Sequence, residues 1–140
     1  MENVTIFHLG AWVPCSFELC MSENNMRELI DILVDECNMT VIFPTTVIKL
    51  PVPGAFKDER GRCPDPADIG LSAFTMISES HIAIHTWPEK QVFYLEISSC
   101  KPFDVDSVCK FLQVNFGSNG FSSYYSERPA PQRVSVNIGE

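Results

Sequence analysis

The amino-acid order points to an α+β domain: a two-layer α/β sandwich with a mostly antiparallel sheet and two helices on one face. Short runs of β-branched and aromatic residues separated by turn residues read as strands. Two other stretches repeat apolar residues at helical spacing. The resulting order, strand, helix, several strands, helix, strand, places both helices against one face of the sheet. With 140 residues, 45% of them hydrophobic and 20% charged, residues 1–140 are expected to form a single domain with its own core.

The first strand is expected over Val4–Val13, closed by Pro14-Cys15-Ser16. Ser22 has the character of a helix N-cap, with Asn25 where a full capping box has Glu or Gln. Met26, Leu29, Ile30, Leu33, Val34 and Cys37 then form the inward stripe of a helix ending near Asn38. Thr40–Leu50 reads as a strand. The segment 51–68 holds four prolines, two glycines and seven charges, and reads as a long insertion loop. Strands are expected over Ile69–Ser78, His81–Trp87 and Gln91–Ser99, with Pro88-Glu89-Lys90 as a tight connection. Asp104 or Asp106 caps a second helix carrying Val105, Val108, Cys109, Phe111, Leu112 and Phe116, with Gly117 just beyond it. Phe121–Ser126 reads as a last strand, and the tail from Glu127 as a surface segment.

The net charge of −8 argues against nucleic acid or an anionic membrane as the main partner, because both require a basic face. Met1-Glu2-Asn3-Val4 does not resemble a signal peptide, and no apolar run is long enough to span a bilayer. Six cysteines without a secretion signal suit a reduced, cytoplasmic protein. No Cys-x-x-Cys pair is present, so a structural zinc site is not expected.

Chemistry concentrates in Ile77–Glu89. Two of the three histidines, two carboxylates, two serines and a threonine crowd an otherwise apolar strand region, and such crowding carries a desolvation cost. From residue type alone Ser80 is either an ordinary strand serine or a nucleophile, and no G-x-S-x-G elbow surrounds it. His81 and His85 share a strand face with Glu79 and are either hydrogen-bonded residues or part of a metal site whose third ligand is not evident. Cys100 at a strand end is either a buried small hydrophobe or a thiol acid facing a cleft. Ser72 either bonds its own turn or orients a histidine.

The stretch Ser78-Glu79-Ser80-His81-Ile82-Ala83-Ile84-His85-Thr86-Trp87-Pro88-Glu89 resembles the processing site of the prokaryotic, pyruvoyl-dependent S-adenosylmethionine decarboxylases. The resemblance extends through the element order from about Ile69 to Gly117, with Cys100 at the family's catalytic cysteine and Ser72 at its serine on the preceding strand. It implies cleavage between Glu79 and Ser80 and a pyruvoyl cofactor derived from Ser80, which takes up the substrate α-amine. It also implies His85 as base or proton relay with Ser72 as helper, Cys100 as general acid, and a homodimer of cleaved protomers with sites near the subunit contact. Trp87 and Glu89, just beyond the strand, are either substrate-pocket residues or a packed indole and a turn carboxylate. The implied activity is decarboxylation of S-adenosylmethionine, supplying the aminopropyl donor for spermidine.

Two departures bear on the substrate. Where the family carries a His-x-Phe-x-Pro-x-Gly-like segment, this chain reads Ile48-Lys49-Leu50-Pro51 and enters the long insertion, in which Phe56 is a candidate for the missing ring. Gly10-Ala11-Trp12 stands where relatives often place an acidic residue. A pyruvoyl-dependent decarboxylase of ornithine, arginine or another amino acid is therefore an alternative. A non-catalytic regulatory paralogue is another, and the presence of Ser80 weighs against it.

Overall fold

The computed structural model describes residues 4–50, 59–61, 69–117 and 121–131. In chain order the elements are β1 (Thr5–Pro14), α1 (Phe17–Cys20), α2 (Glu23–Glu36), β2 (Val41–Leu50), β3 (Gly70–Ile77), β4 (Ser80–Trp87), a 3-10 turn (Pro88–Lys90), β5 (Val92–Ser99), α3 (Val105–Phe116) and β6 (Ser122–Pro129). The six strands form one sheet in the order β2-β3-β4-β5-β1-β6. Every neighbouring pair is antiparallel.

Alternation divides the sheet into two faces. Leu9, Ala11 and Val13 of β1, Leu71, Ala73 and Ile77 of β3, Ile82 and Ile84 of β4, and Phe93, Leu95 and Ile97 of β5 point one way and are buried. Met26, Leu29, Ile30, Leu33 and Val34 of α2, with Val108 and Leu112 of α3, close that core. The sandwich is therefore the expected one, with the helices on one side of an antiparallel sheet.

Local chemistry accounts for the helix ends. Ser22 Oγ accepts from the Asn25 backbone N–H at 3.3 Å and from the Asn25 side-chain amide at 2.9 Å, so Asn25 contributes where Glu or Gln was missing. Asp104, not Asp106, caps α3 by accepting from Ser107 N–H at 3.0 Å. Ser107 Oγ also donates to Glu36 at 2.6 Å and ties α3 to α2.

Two expectations are corrected. The segment after Pro14 forms a third, one-turn helix, α1, capped by Ser16; four residues are too few to show a helical period. Glu127–Pro129 are not a surface tail, because they continue β6 against Phe7–Thr5 of β1. Their polar side chains conceal the pairing because β6 is an edge strand, mostly exposed. The expected loop 51–68 lies outside the described residues except for 59–61.

Thr86 holds the core to the open end of the sheet. Its Oγ1 accepts from Leu71 N–H at 2.8 Å and donates to the Cys20 carbonyl at 2.9 Å, both in buried surroundings. Gly70 beside it has φ +149 and no room for a Cβ against the Thr86 carbonyl. Thr86→Val keeps the shape but leaves a buried N–H and a buried C=O unpaired. It is expected to lower unfolding stability by about 1–3 kcal/mol in urea denaturation.

Candidate active site

The second face of the sheet is not covered by the helices. It carries His8 and Trp12 from β1, Ser72, Phe74 and Met76 from β3, His81, His85 and Trp87 from β4, and Tyr94 and Glu96 from β5. Trp12, Phe74, Met76 and Trp87 on this face are each about 40% exposed, unusual for side chains of that size.

Ser80 begins β4 directly after the two-residue turn Ser78-Glu79, since Ile77 pairs with Ser80. Two-residue hairpins favour residues of positive φ, yet neither Ser78 nor Glu79 is among the positive-φ residues. The turn is held from outside instead. Ser78 N–H donates to the Thr40 carbonyl at 2.9 Å, and Thr40 N–H donates to Glu79 Oε1 at 3.3 Å. The Ser78 hydroxyl, with the Thr40 N–H as a smaller contribution, holds the Glu79 carboxyl below its ordinary range.

The decisive contact is on the main chain. Cys100 N–H donates to the Glu79 carbonyl oxygen at 2.9 Å. This is the carbonyl of the peptide bond joining Glu79 to Ser80, so a donor already faces the oxygen on which charge would build if that carbon were attacked. Ser99 braces the turn that presents Cys100: its Oγ accepts from Lys101 N–H at 3.0 Å and donates to the Lys101 carbonyl at 2.7 Å. Cys100 itself is exposed. By contrast Cys15, Cys20 and Cys37 are buried, and burial raises all three thiols, Cys37 to about 12. They belong to the core. Those three, Cys100 and Cys109 are free thiols, and Cys63 lies outside the described residues.

A polar line crosses the uncovered face beside Ser80. Ser80 Oγ lies 3.3 Å from His81 Nδ1, and His81 Nε2 lies 3.0 Å from Glu96 Oε1. His8 Nε2 stands 3.8 Å from the same oxygen. The bond from His81 holds the Glu96 carboxyl below its ordinary range, against a smaller opposing effect of burial. Glu96 was not singled out by the sequence. Its one signal is a carboxylate in the outward set Val92, Tyr94, Glu96 of β5, and the pairing of Ala83 with Glu96 that brings it near His81 is set by strand register.

Ser72 and His85 form a separate pair. They are opposite one another in the β3–β4 ladder, with Ser72 Oγ 3.0 Å from His85 Nδ1. Five residues of strand separate His85 from Ser80, about 16 Å along β4, so one copy of the chain does not bring them together. His81 and His85 share a face, as expected, but lie about 13 Å apart. Among the described residues no group of three His, Cys, Asp or Glu can hold a metal ion. Trp87, with its ring 5.5 Å from Trp12, and Glu89 in the 3-10 turn lie beyond His85, at the far end of β4 from Ser80. Phe56 lies outside the described residues.

Gly10 lets two tyrosines meet over the sheet. Tyr94 and Tyr124 are hydrogen-bonded across the position a Cβ at Gly10 would occupy. Trp12 and Tyr94 rings lie 4.8 Å apart. Where an acidic residue was noted as common, this chain has built an aromatic cluster. Among the described residues no helix is long and apolar enough to cross a membrane.

Fold and site together define an α+β sandwich of one antiparallel sheet, with a hairpin serine whose preceding carbonyl is already hydrogen-bonded. The sequence model for S-adenosylmethionine decarboxylase matches residues 9–129, and the chain belongs to that family. It is 34% identical over 76 residues to the S-adenosylmethionine decarboxylase proenzyme of Moorella thermoacetica, covering 49% of this chain and 58% of that one. It is 45% identical over 47 residues to the proenzyme of Clostridium botulinum, covering 33% and 40%. The matched part thus spans about half the length of these curated relatives. The crystal structure of the adenosylmethionine decarboxylase from Aquifex aeolicus superposes with a TM-score of 0.64 at 16% identity, over 98% of this chain and 100% of that one, and shows the same fold.

The Glu96 carboxylate gives the site a pH signature. Its folded pKa is depressed, so its stabilising contribution is present above the ordinary value of 4.5 and fades as pH falls through the folded value. The charged or titratable groups around it are His81, His8 and Tyr94. Thermal melts of the wild type and Glu96→Gln are expected to differ at neutral pH, to begin converging as pH falls below about 4.5 and to meet only below the folded value.

Proposed function

We propose that this chain is a self-processing, pyruvoyl-dependent decarboxylase acting on S-adenosylmethionine, and that its working unit is a homodimer. The observation that carries the reading is the Cys100 N–H on the Glu79 carbonyl, one bond from the Ser80 amide. The names of the curated relatives, each a proenzyme, support it.

Attack of Ser80 Oγ on the Glu79 carbonyl carbon converts the amide into an ester, with the developing oxyanion received by the Cys100 N–H. Removal of the Ser80 α-proton then expels the Glu79 carboxylate and divides the chain into residues 1–79 and 80–140, leaving a dehydroalanine whose imine tautomer water hydrolyses to the ketone with loss of ammonia. His85 is the base for that removal, oriented by Ser72. Since His85 lies about 16 Å along the strand from the Ser80 of its own chain, the base comes from a second copy. The apolar side chains on the uncovered sheet face supply the surface for that copy.

The residues at the new terminus suit a pyruvoyl group. Ser80 starts a strand beside the exposed Cys100, with its hydroxyl against the His81 ring. When formed, the group supplies an electron sink for decarboxylation. Cys100 is the acid that returns a proton to the substrate carbon. Trp87 and Glu89 reach substrate only across the dimer contact, because their end of β4 faces away from Ser80 within one copy. A cytoplasmic setting and the supply of an aminopropyl donor for polyamine synthesis complete the reading.

Two experiments test it. Intact mass of the aged protein should give two fragments divided at Glu79–Ser80, with a keto group that a hydrazine traps, and carbon dioxide release from S-adenosylmethionine. A single uncleaved chain, or turnover of ornithine or arginine alone, overturns the self-processing or the substrate assignment respectively. For the dimer, Ser80→Ala and His85→Ala chains should each remain uncleaved alone. Co-expressed, the Ser80→Ala chain should restore cleavage of the His85→Ala chain, and failure to do so places the base elsewhere.

A further inference from the structure

Self-processing as read above assigns a base to the second step and none to the first. A serine hydroxyl is a weak nucleophile unless a neighbouring group accepts its proton, and His85 of the same chain is too distant. His81 is not. Its Nδ1 is 3.3 Å from Ser80 Oγ, while its Nε2 is 3.0 Å from Glu96. An ionised carboxylate only accepts hydrogen bonds. Glu96, held in its ionised form, therefore fixes the hydrogen on Nε2 and leaves the Nδ1 lone pair facing the Ser80 hydroxyl. Phe74 stacks on the ring with centroids 6.0 Å apart, and His8 flanks the carboxylate from β1. Both limit how the pair can turn.

We propose that His81 is the general base of the ester-forming step, with Glu96 as its positioning residue; this rests on the reading of Ser80 as the processing serine. The Ser80 Oγ proton passes to His81 Nδ1 as the new C–O bond forms at the Glu79 carbon. The carbonyl π pair moves onto the oxygen held by Cys100 N–H. When that pair returns, the C–N bond breaks and the proton held by His81 goes to the departing Ser80 nitrogen. The products are an ester and a free amine, with no net proton gained or lost and no redox change. The two steps then use different histidines: His81 from the same chain makes the ester, and His85 from the other copy removes the α-proton.

The test reads the ester itself. In a His85→Ala chain the ester should accumulate and hydroxylamine should split the chain between Glu79 and Ser80. Adding His81→Asn to that background is expected to slow hydroxylamine-dependent splitting by about 10²-fold or more. Glu96→Gln in the same background should slow it less. The pH profile of ester formation should show an inflection that vanishes in His81→Asn. The titratable groups facing the ring are Glu96 from β5 and, through it, His8 from β1; β3 contributes Phe74 and, opposite His81 in the ladder, Met76, neither of which titrates. An unchanged rate in folded His81→Asn, verified by its melting curve, overturns the assignment and leaves the Ser80 reading intact. If His81→Asn does not fold, Glu96→Gln decides: an unchanged rate and inflection there overturn the assignment as well. If His85→Ala with His81 present never becomes hydroxylamine-sensitive and the wild type never divides, the Ser80 reading itself fails.

Discussion

The site depends on the register between β4 and β5. Pairing Ser80 with Ser99 puts Cys100 one residue past the end of the ladder, where its N–H meets the Glu79 carbonyl. The same register sets Ala83 opposite Glu96 and so lets the Glu96 side chain reach His81 on the uncovered face. A slip of one residue would move every side chain of one strand to the other face and dissolve both arrangements. The buried run Ile82, Ile84, Phe93, Leu95 and Ile97 prevents that slip, since it would place the two large apolar side chains of β4 or the three of β5 in water. Core packing and site geometry are thus a single constraint, and the helices act on the chemistry only by enforcing it.

Much of the fold was legible because its signals are local. The stripe from Met26 to Val34 has helical period, and Ser22 and Asp104 carry their caps in adjacent residues. The alternation in Val92–Ser99 is visible without knowing its partners. What escaped was either too short or too exposed to leave a pattern. α1 completes one turn, and Glu127–Pro129 pair at an edge where nothing requires an apolar side chain.

The site was legible in composition more than in arrangement. Ser80, Cys100 and Glu79 meet at one end of the sheet, as their assignment to one centre requires. Ser72 and His85 meet each other but stand away from that end, a distance no list of residues reveals until β4 is known to run straight. Glu96 was missed because it is 15 residues from His81 in the chain and adjacent only through the ladder. The aromatic cluster of Trp12, Tyr94 and Tyr124 was hidden for a different reason. It exists because Gly10 is small, and a glycine in a strand is more readily taken as a weakness than as a clearance.

The order of the strands has a consequence for a chain divided after Glu79. The N-terminal piece would own β1, β2 and β3, and the C-terminal piece β4, β5 and β6. Read across the sheet β2-β3-β4-β5-β1-β6, ownership changes at three seams, so β1 is gripped on both sides by the other piece. Each fragment retains only a two-stranded pair of its own, β2-β3 or β4-β5, and each supplies one long helix to a shared interior. Such halves are interleaved like clasped fingers. Loss of the covalent link costs the assembly little, because separating the pieces means unravelling the sheet itself.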